Sequence, residues 1–422
     1  MSGRASRWAQ VSEPVRACPA TSRQVRRPAA TAVALASRVG LLALACFGAA
    51  GCTGCHRDPE PYPATFEYQA RQDWIVVQLP TNVPATRGPD GELEEEIRRI
   101  NDRGGRVLDP ANVPAPLRDA LTNYLAQAFG TPAEPTITGD DETRSLAVEL
   151  GLTPDRLAEG SKLFRARCQE CHGPTGDGRG LSARWLNPFP RDFRQGAFKF
   201  TSTGRKPTRA DLFRTLTYGL PTTPMPSFGM LPEEVRHRLI DYVMFLSLRG
   251  RIEFEVLRTL LVAGEDGLDG EVPTEAARVL KTELKAWAGA EREAVPAVPP
   301  EYAPGSPEQA EAVRHGHALF LDAKGAACAS CHTNYGREAK LQYDVWGTLV
   351  RPANLTEPRR KGGEGPAELY RRVRCGIPPS NMPAPTGLTN TQAFDVVQFL
   401  LALPYPDRLP TDVQVRVYPD DR

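Results

Sequence analysis

Two five-residue runs, Cys168-Gln169-Glu170-Cys171-His172 and Cys328-Ala329-Ser330-Cys331-His332, constrain this chain more than any other feature. Each sets two thiols two residues apart and places a histidine directly after the second. Thiols held at that spacing at a helix end reach the two vinyl groups of one porphyrin and form thioethers. The adjacent imidazole then projects at the iron. Two such runs, each behind a helix-like stretch with the same Gly-to-Phe spacing, are not a chance pairing.

The stretches around the runs repeat one plan. The first unit opens on a helix pattern from Pro154 to Arg167, with Thr153 at its N-cap and Gly160 and Phe164 one turn apart on one face. The second opens on Pro307 to Leu321, with Gly316 and Phe320 at the same spacing. The units close on Glu233 to Leu248, carrying Leu239 and Tyr242, and on Thr391 to Leu401, carrying Val396 and Phe399. A glycine on the opening helix lets an aromatic of the closing helix approach closely.

A second axial ligand is expected from a later loop, and the chain has only five methionines. Met225 stands in Pro224-Met225-Pro226 and Met382 in Asn381-Met382-Pro383. Met225 follows His172 by 53 residues and Met382 follows His332 by 50, each after a Gly-Leu-Pro or Gly-Ile-Pro turn (Gly219 to Pro221, Gly376 to Pro378). Flanking prolines stiffen the backbone there. His/Met ligation fills both axial positions and raises the reduction potential. Met230 is the rival of Met225, and Met244 reads as core.

On these residues both units resemble class I cytochrome c domains, and together they resemble bacterial dihaem cytochromes c of respiratory chains. The resemblance covers residues 151–250 and 305–405 and implies an all-α fold: two tandem cytochrome c-like helical domains with an irregular N-terminal extension. It implies two covalently bound haem c groups, held by Cys168 and Cys171 and by Cys328 and Cys331, with His172, Met225, His332 and Met382 on iron. Pro188 or Pro190, and Pro352 in the second unit, would supply the carbonyl that holds each imidazole N–H, a bond that orients the ligand ring. The second unit departs from the family in a longer insertion between Phe320 and Cys328.

The N-terminus reads as an address. Residues 1–38 are Arg-rich with Glu13 as the one acid, and Val39 to Gly51 is apolar and small, the order of a secretory signal. It ends Ala49-Ala50-Gly51-Cys52, which resembles a bacterial lipobox with Ala49 where leucine is usual. Cys52-Thr53-Gly54-Cys55-His56 also satisfies the haem motif by letter. It lacks an opening helix and a nearby Met-Pro loop, and an acylated Cys52 has no sulfur left for haem. Lipidation of Cys52 is the favoured reading; a third haem on Cys52, Cys55 and His56 is the alternative. Either way the mature protein is expected outside the cytoplasm, in the periplasm or anchored to a membrane facing it.

The expected order along the chain is a signal sequence over 1–51, an extension over 52–150, the first domain over 151–250, a helical linker over 251–304, the second domain over 305–405 and a tail over 406–422. Within the extension, Trp74 to Leu79 reads as a short strand, Leu117 to Phe129 as a helix and 130–150 as a loop. The linker holds a helix-like start at Phe254 to Val262 and a helix near Thr274 to Ala288. His315 and His317 read as a solvated helix face and Cys375 as a buried free thiol. Between Asp177 and Arg214 nine Lys/Arg face three Asp, which reads as a basic rim for an acidic partner or as a solvated face with arginines on haem propionates.

A net charge of +1 gives the chain no polyelectrolyte character and argues against nucleic acid. No run of 18 apolar residues exists, so a spanning helix is not expected. The expected activity is electron relay and not catalysis, between redox proteins such as a quinol-oxidising complex and a terminal oxidase or reductase. A dihaem peroxidase is the runner-up, disfavoured because each unit has its own methionine. A fixed subunit of a membrane respiratory complex is the third reading.

Overall fold

The computed structural model describes residues 58–78, 106–300, 302–346 and 348–419. The signal sequence and Cys52, Cys55 and His56 lie outside the described residues. The fold is all-α, as expected, with two short antiparallel ribbons as its only sheet among the described residues. No described helix is long and apolar enough to cross a membrane.

The chain enters on an arm that packs onto the first core. Tyr68 donates or accepts a 2.9 Å bond with the Tyr242 hydroxyl, and the Arg71 amide donates to Glu253. Strand β1 (Ile75–Gln78) pairs with β2 (Arg106–Leu108), with Ile75 opposite Leu108. Helices α1 (Ala115–Phe129) and α2 (Asp141–Glu149) follow. The second replaces part of the loop expected over 130–150. Its signal was present: Asp140 caps the Thr143 amide, and Asp141 and Glu142 fill the first turn.

Helix α3 (Pro154–Arg167) runs directly into the one-turn α4 (Gln169–His172). Thr153 is its N-cap residue, yet its hydroxyl makes no capping bond. Helix α5 (Arg209–Tyr218) opens with a full capping box between Thr208 and Asp211. The closing helix α6 spans Glu233–Ala263 without a break, so the boundary expected at residue 250 falls inside one continuous helix. Gly250 sits in that helix because a Cβ there would lie 2.3 Å from the Arg194 backbone. Helix α7 (Val272–Glu293) carries Val279, Leu280, Leu284 and Trp287 into the first core.

The second half is built on its own core. It comprises α8 (Pro307–Leu321), α9 (Cys328–Cys331), β3 (Gln342–Tyr343), β4 (Leu349–Val350), α10 (Pro366–Cys375), α11 (Asn390–Ala402) and α12 (Thr411–Val417). Ser306 caps α8 through the Gln309 amide, and Thr389 opens α11 with a capping box.

In both halves the opening and closing helices touch at the glycine. A Cβ on Gly160 would stand 2.4 Å from the Arg238 carbonyl, and one on Gly316 would stand 1.9 Å from the Asp395 carbonyl. One turn on, the aromatics meet: Phe164 with Tyr242 at 5.3 Å and Phe320 with Phe399 at 5.5 Å between ring centres.

Asp211 ties the first half together. It is 1% exposed and accepts from the Ser202 amide and hydroxyl, the Thr208 amide and the Arg214 guanidinium. Burial works against its charge, but those donors win and hold its carboxyl below the ordinary range. Its contribution to stability is therefore present above the unfolded pKa of about 3.9 and lost as pH falls through the lower folded value. Asp211→Ala takes the carboxylate from the half-buried Arg214 and leaves the Ser202 and Thr208 amides unanswered. We expect it to cost about 3 kcal/mol or more in urea unfolding at neutral pH, a deficit that shrinks as the pH is lowered.

Candidate haem sites

The first thiol pair sits where α3 gives out, and the second forms its own turn, α9, after a loop that follows α8. The Cys168 amide closes the last turn of α3 on the Phe164 carbonyl, and the His172 amide bonds back to the Cys168 carbonyl at 2.9 Å. In the second half the His332 amide bonds to the Cys328 carbonyl at the same distance. One tight turn thus fixes both sulfurs and the imidazole in each half. None of the four cysteines is in a disulfide. Burial pushes the Cys168 thiol up to about 12 and the Cys328 thiol to about 11, so both stay neutral at physiological pH.

Each imidazole is aimed by a backbone carbonyl. His172 Nδ1 lies 3.0 Å from the Arg191 carbonyl and His332 Nδ1 lies 3.0 Å from the Ala353 carbonyl. A carbonyl only accepts, so Nδ1 carries the proton and Nε2 is left as the free lone pair. The expected acceptors were Pro188 or Pro190 and Pro352. In both halves the acceptor is instead the residue after a proline, Pro190 and Pro352, because the chain must first turn inward. It is pinned two residues later: the Phe193 amide bonds to the Gly176 carbonyl, and the Leu355 amide bonds to the Tyr335 carbonyl. Phe193 also stacks on the His172 ring at 4.7 Å. Burial pushes His172 down to about 4, against the Arg191 bond, and lowers His332 as well. Both rings are neutral at pH 7.

The methionine loops are built alike. Gly219 and Gly376 end α5 and α10 with φ of 67° and 64°. A Cβ on Gly219 would lie 2.6 Å from the Pro226 backbone and one on Gly376 would lie 2.4 Å from the Met382 carbonyl. The next amide closes each loop: Leu220 on the Met225 carbonyl at 3.1 Å and Ile377 on the Met382 carbonyl at 2.8 Å. Met225 and Met382 are both half-buried, and Met225 packs against the first core. Met230 is fully exposed and Met244 is buried on α6, so neither competes.

The chemistry of the donor set fits a covalently attached haem in both halves: two unpaired thiols, a neutral imidazole with Nε2 free, and a stiff loop bearing a thioether sulfur.

The helix face expected to be solvated is so at only one of its two histidines. His315 is exposed and lies 2.7 Å from Asp395, whereas His317 is buried against Tyr335, 3.0 Å from its hydroxyl. Most of the basic stretch over 177–214 is also consumed in ion pairs. Arg194 binds Asp73 and Asp192, Lys199 binds Asp344, Lys206 binds Glu283, and Arg209 binds Asp241. Arg179, Arg184 and Arg205 remain exposed. The partners Asp73, Asp344, Glu283 and Asp241 come from distant segments, which no local count of charge could reveal. Cys375 is buried and free.

Fold and paired thiol–imidazole sites are similar to those of c-type cytochromes. Residues 155–243, which include Cys168, Cys171, His172 and Met225, match the family described as cytochrome C oxidase, cbb3-type, subunit III. No curated protein matches the chain. Among solved structures, a chain of the Kuenenia stuttgartiensis reducing HAO-like protein complex Kustc0457/Kustc0458 is similar at 24% identity. The match covers 58% of this chain and 94% of that one, with a TM-score of 0.40.

Proposed function

We propose that this protein is an electron-transfer cytochrome c carrying two covalent haems, each ligated by histidine and methionine, that relays electrons between redox proteins outside the cytoplasm. The observation that carries this reading is the repetition, in two separate cores, of one constellation. Each half has a thiol pair in one tight turn, an imidazole held through Nδ1 by a loop carbonyl, and a glycine-anchored methionine loop.

Haem bound in each half supplies a one-electron centre. The chain's part is to hold each imidazole in one orientation and one tautomer, and to hold each methionine loop stiff. Both lower the rearrangement that accompanies a change of charge. Export rests on the basic-then-apolar N-terminus, and Cys52 supplies a lipid anchor there. A quinol-oxidising complex as donor and a terminal oxidase or reductase as acceptor complete the relay.

The test is a haem count with a ligand challenge. The purified full chain should give two haems per molecule by pyridine haemochrome and mass, and its ferrous form should not take up carbon monoxide. Met225→Ala or Met382→Ala should open one position, so that about half the haem binds carbon monoxide and the potential of that centre falls. Carbon monoxide uptake by the unaltered ferrous protein, or peroxide turnover, would instead make it a peroxidase.

A further inference from the structure

Trp346 is one of the side chains on which the two halves meet. Trp346, between β3 and β4, donates its Nε1–H to the Asp192 carbonyl at 3.2 Å. Asp192 is the peptide neighbour of Arg191, whose carbonyl accepts from His172 Nδ1 at 3.0 Å. The Arg191 guanidinium lies over the same indole ring, 3.6 Å from its centre. On the other side, the Trp346 segment is stitched to the second methionine loop. The Val345 amide donates to the Pro379 carbonyl at 3.0 Å, and Asn381 Nδ2 donates to the Tyr343 carbonyl at 2.5 Å. Asn381 is the residue before Met382.

We propose that Trp346 is the electronic junction between the two centres: a bridging residue that joins the imidazole side of the first to the methionine side of the second. The inference rests on the two-haem reading above. The route from His172 runs through the Arg191–Asp192 peptide to the indole, and from Val345 through Pro379 to Met382, entirely by covalent bonds and hydrogen bonds. One electron leaves the first centre, which is oxidised, and reaches the second, which is reduced. No bond is made or broken and no proton is required.

The surroundings of the ring decide how it serves. Arg191 covers one face, and Lys199 Nζ lies 5.4 Å from the ring centre. Cations that close oppose removal of an electron from the indole. The tryptophan therefore conducts as an unoxidised bridge and does not stop the electron as a radical. The Lys199–Asp344 pair at 3.1 Å, with Asp344 also accepting from the Trp346 amide at 3.1 Å, holds the segment in register.

The experiment uses the full haem-loaded chain with Met225→His, a change at a residue that is not part of the His172-to-Met382 route. It lowers the potential of the first centre and shifts its spectrum, so that the two centres can be told apart. Rapid injection of one electron by a photoexcited ruthenium reductant is followed by absorbance as the electron moves from the first centre to the second. Adding Trp346→Ala should slow that relaxation by about tenfold or more, with Trp346→Phe intermediate because it keeps a ring over Arg191 but loses the donor to Asp192. Equilibrium potentials and haem content should stay as in the Met225→His parent. An unchanged relaxation in Trp346→Ala with both potentials intact would overturn the bridge. A transient indole radical in the parent would overturn the unoxidised route. If Met225→His shifts no spectrum, the ligand assignment is at fault and the bridge is read instead by selective reduction at the two native potentials.

Discussion

On the two-haem reading proposed above, replacing Cys328 and Cys331 together by serine should leave a protein with half its covalent haem and a second half that no longer folds cooperatively. The thiols themselves do little for packing. Their loss matters because a bound group that favours the folded state alone adds its binding free energy to stability, and covalent attachment makes that binding permanent. The second core is a small one, formed around Val313, Phe320, Tyr335, Leu369, Tyr370, Val396 and Phe399. A core of that size is marginal without its prosthetic group. The expected readouts are one haem in place of two by haemochrome and mass, and loss of the second unfolding transition. The first half keeps its own spectrum. The matching pair Cys168→Ser and Cys171→Ser should remove the other haem. All four changes together should leave none. Residual haem in that quadruple variant would place a third group on Cys52 and Cys55, and undiminished haem in either double variant would refute the attachment sites.

Gly316→Ala should destabilise the second half by about 3 kcal/mol, although the same change in an exposed helix is worth about 1 kcal/mol in the opposite direction. The reversal of sign comes from contact. The added methyl would stand 1.9 Å from the Asp395 carbonyl and 2.9 Å from the Val396 amide, both backbone atoms of α11. No rotamer relieves that clash, so the two helices must part. Parting them unseats Phe320 from Phe399 and strains the His315–Asp395 bond. Denaturant unfolding followed at the haem band of the second centre measures the loss. Gly204, where an added methyl would meet nothing within 4 Å, is the control site, and alanine there should change stability by less than about 0.5 kcal/mol. Equal effects at the two positions would mean that close helix approach is not what Gly316 provides.

The covalent motifs, the two opening helices and the methionine loops are legible in the sequence because each rests on local chemistry. Pro154–Arg167 and Pro307–Leu321 carry their own start signals and a one-turn Gly-to-Phe spacing, and the structure reproduces both spans. The imidazole partners lie one or more residues from the expected prolines, since a loop's carbonyl direction depends on where the chain is pinned, at Phe193 and Leu355. From sequence the first domain is expected to end at 250, but in the fold Gly250 lies within a continuous helix as the gap that admits Arg194. The basic stretch looks like a surface only while its counterions are out of view, and these come from segments as distant as Asp73 and Asp344.

By itself the sequence determined the chemistry: which sulfurs and imidazoles are offered, at what spacing, and twice over, because those groups act within one turn of helix. Tertiary structure alone decided which carbonyl fixes each ring, which charges are buried, and that Trp346 of one half rests on Arg191 and Asp192 of the other. Those are meetings between residues 19 positions apart, as His172 and Arg191 are, or 154, as Asp192 and Trp346 are, set by packing and hydrogen-bond satisfaction across the whole fold, and no local pattern encodes them.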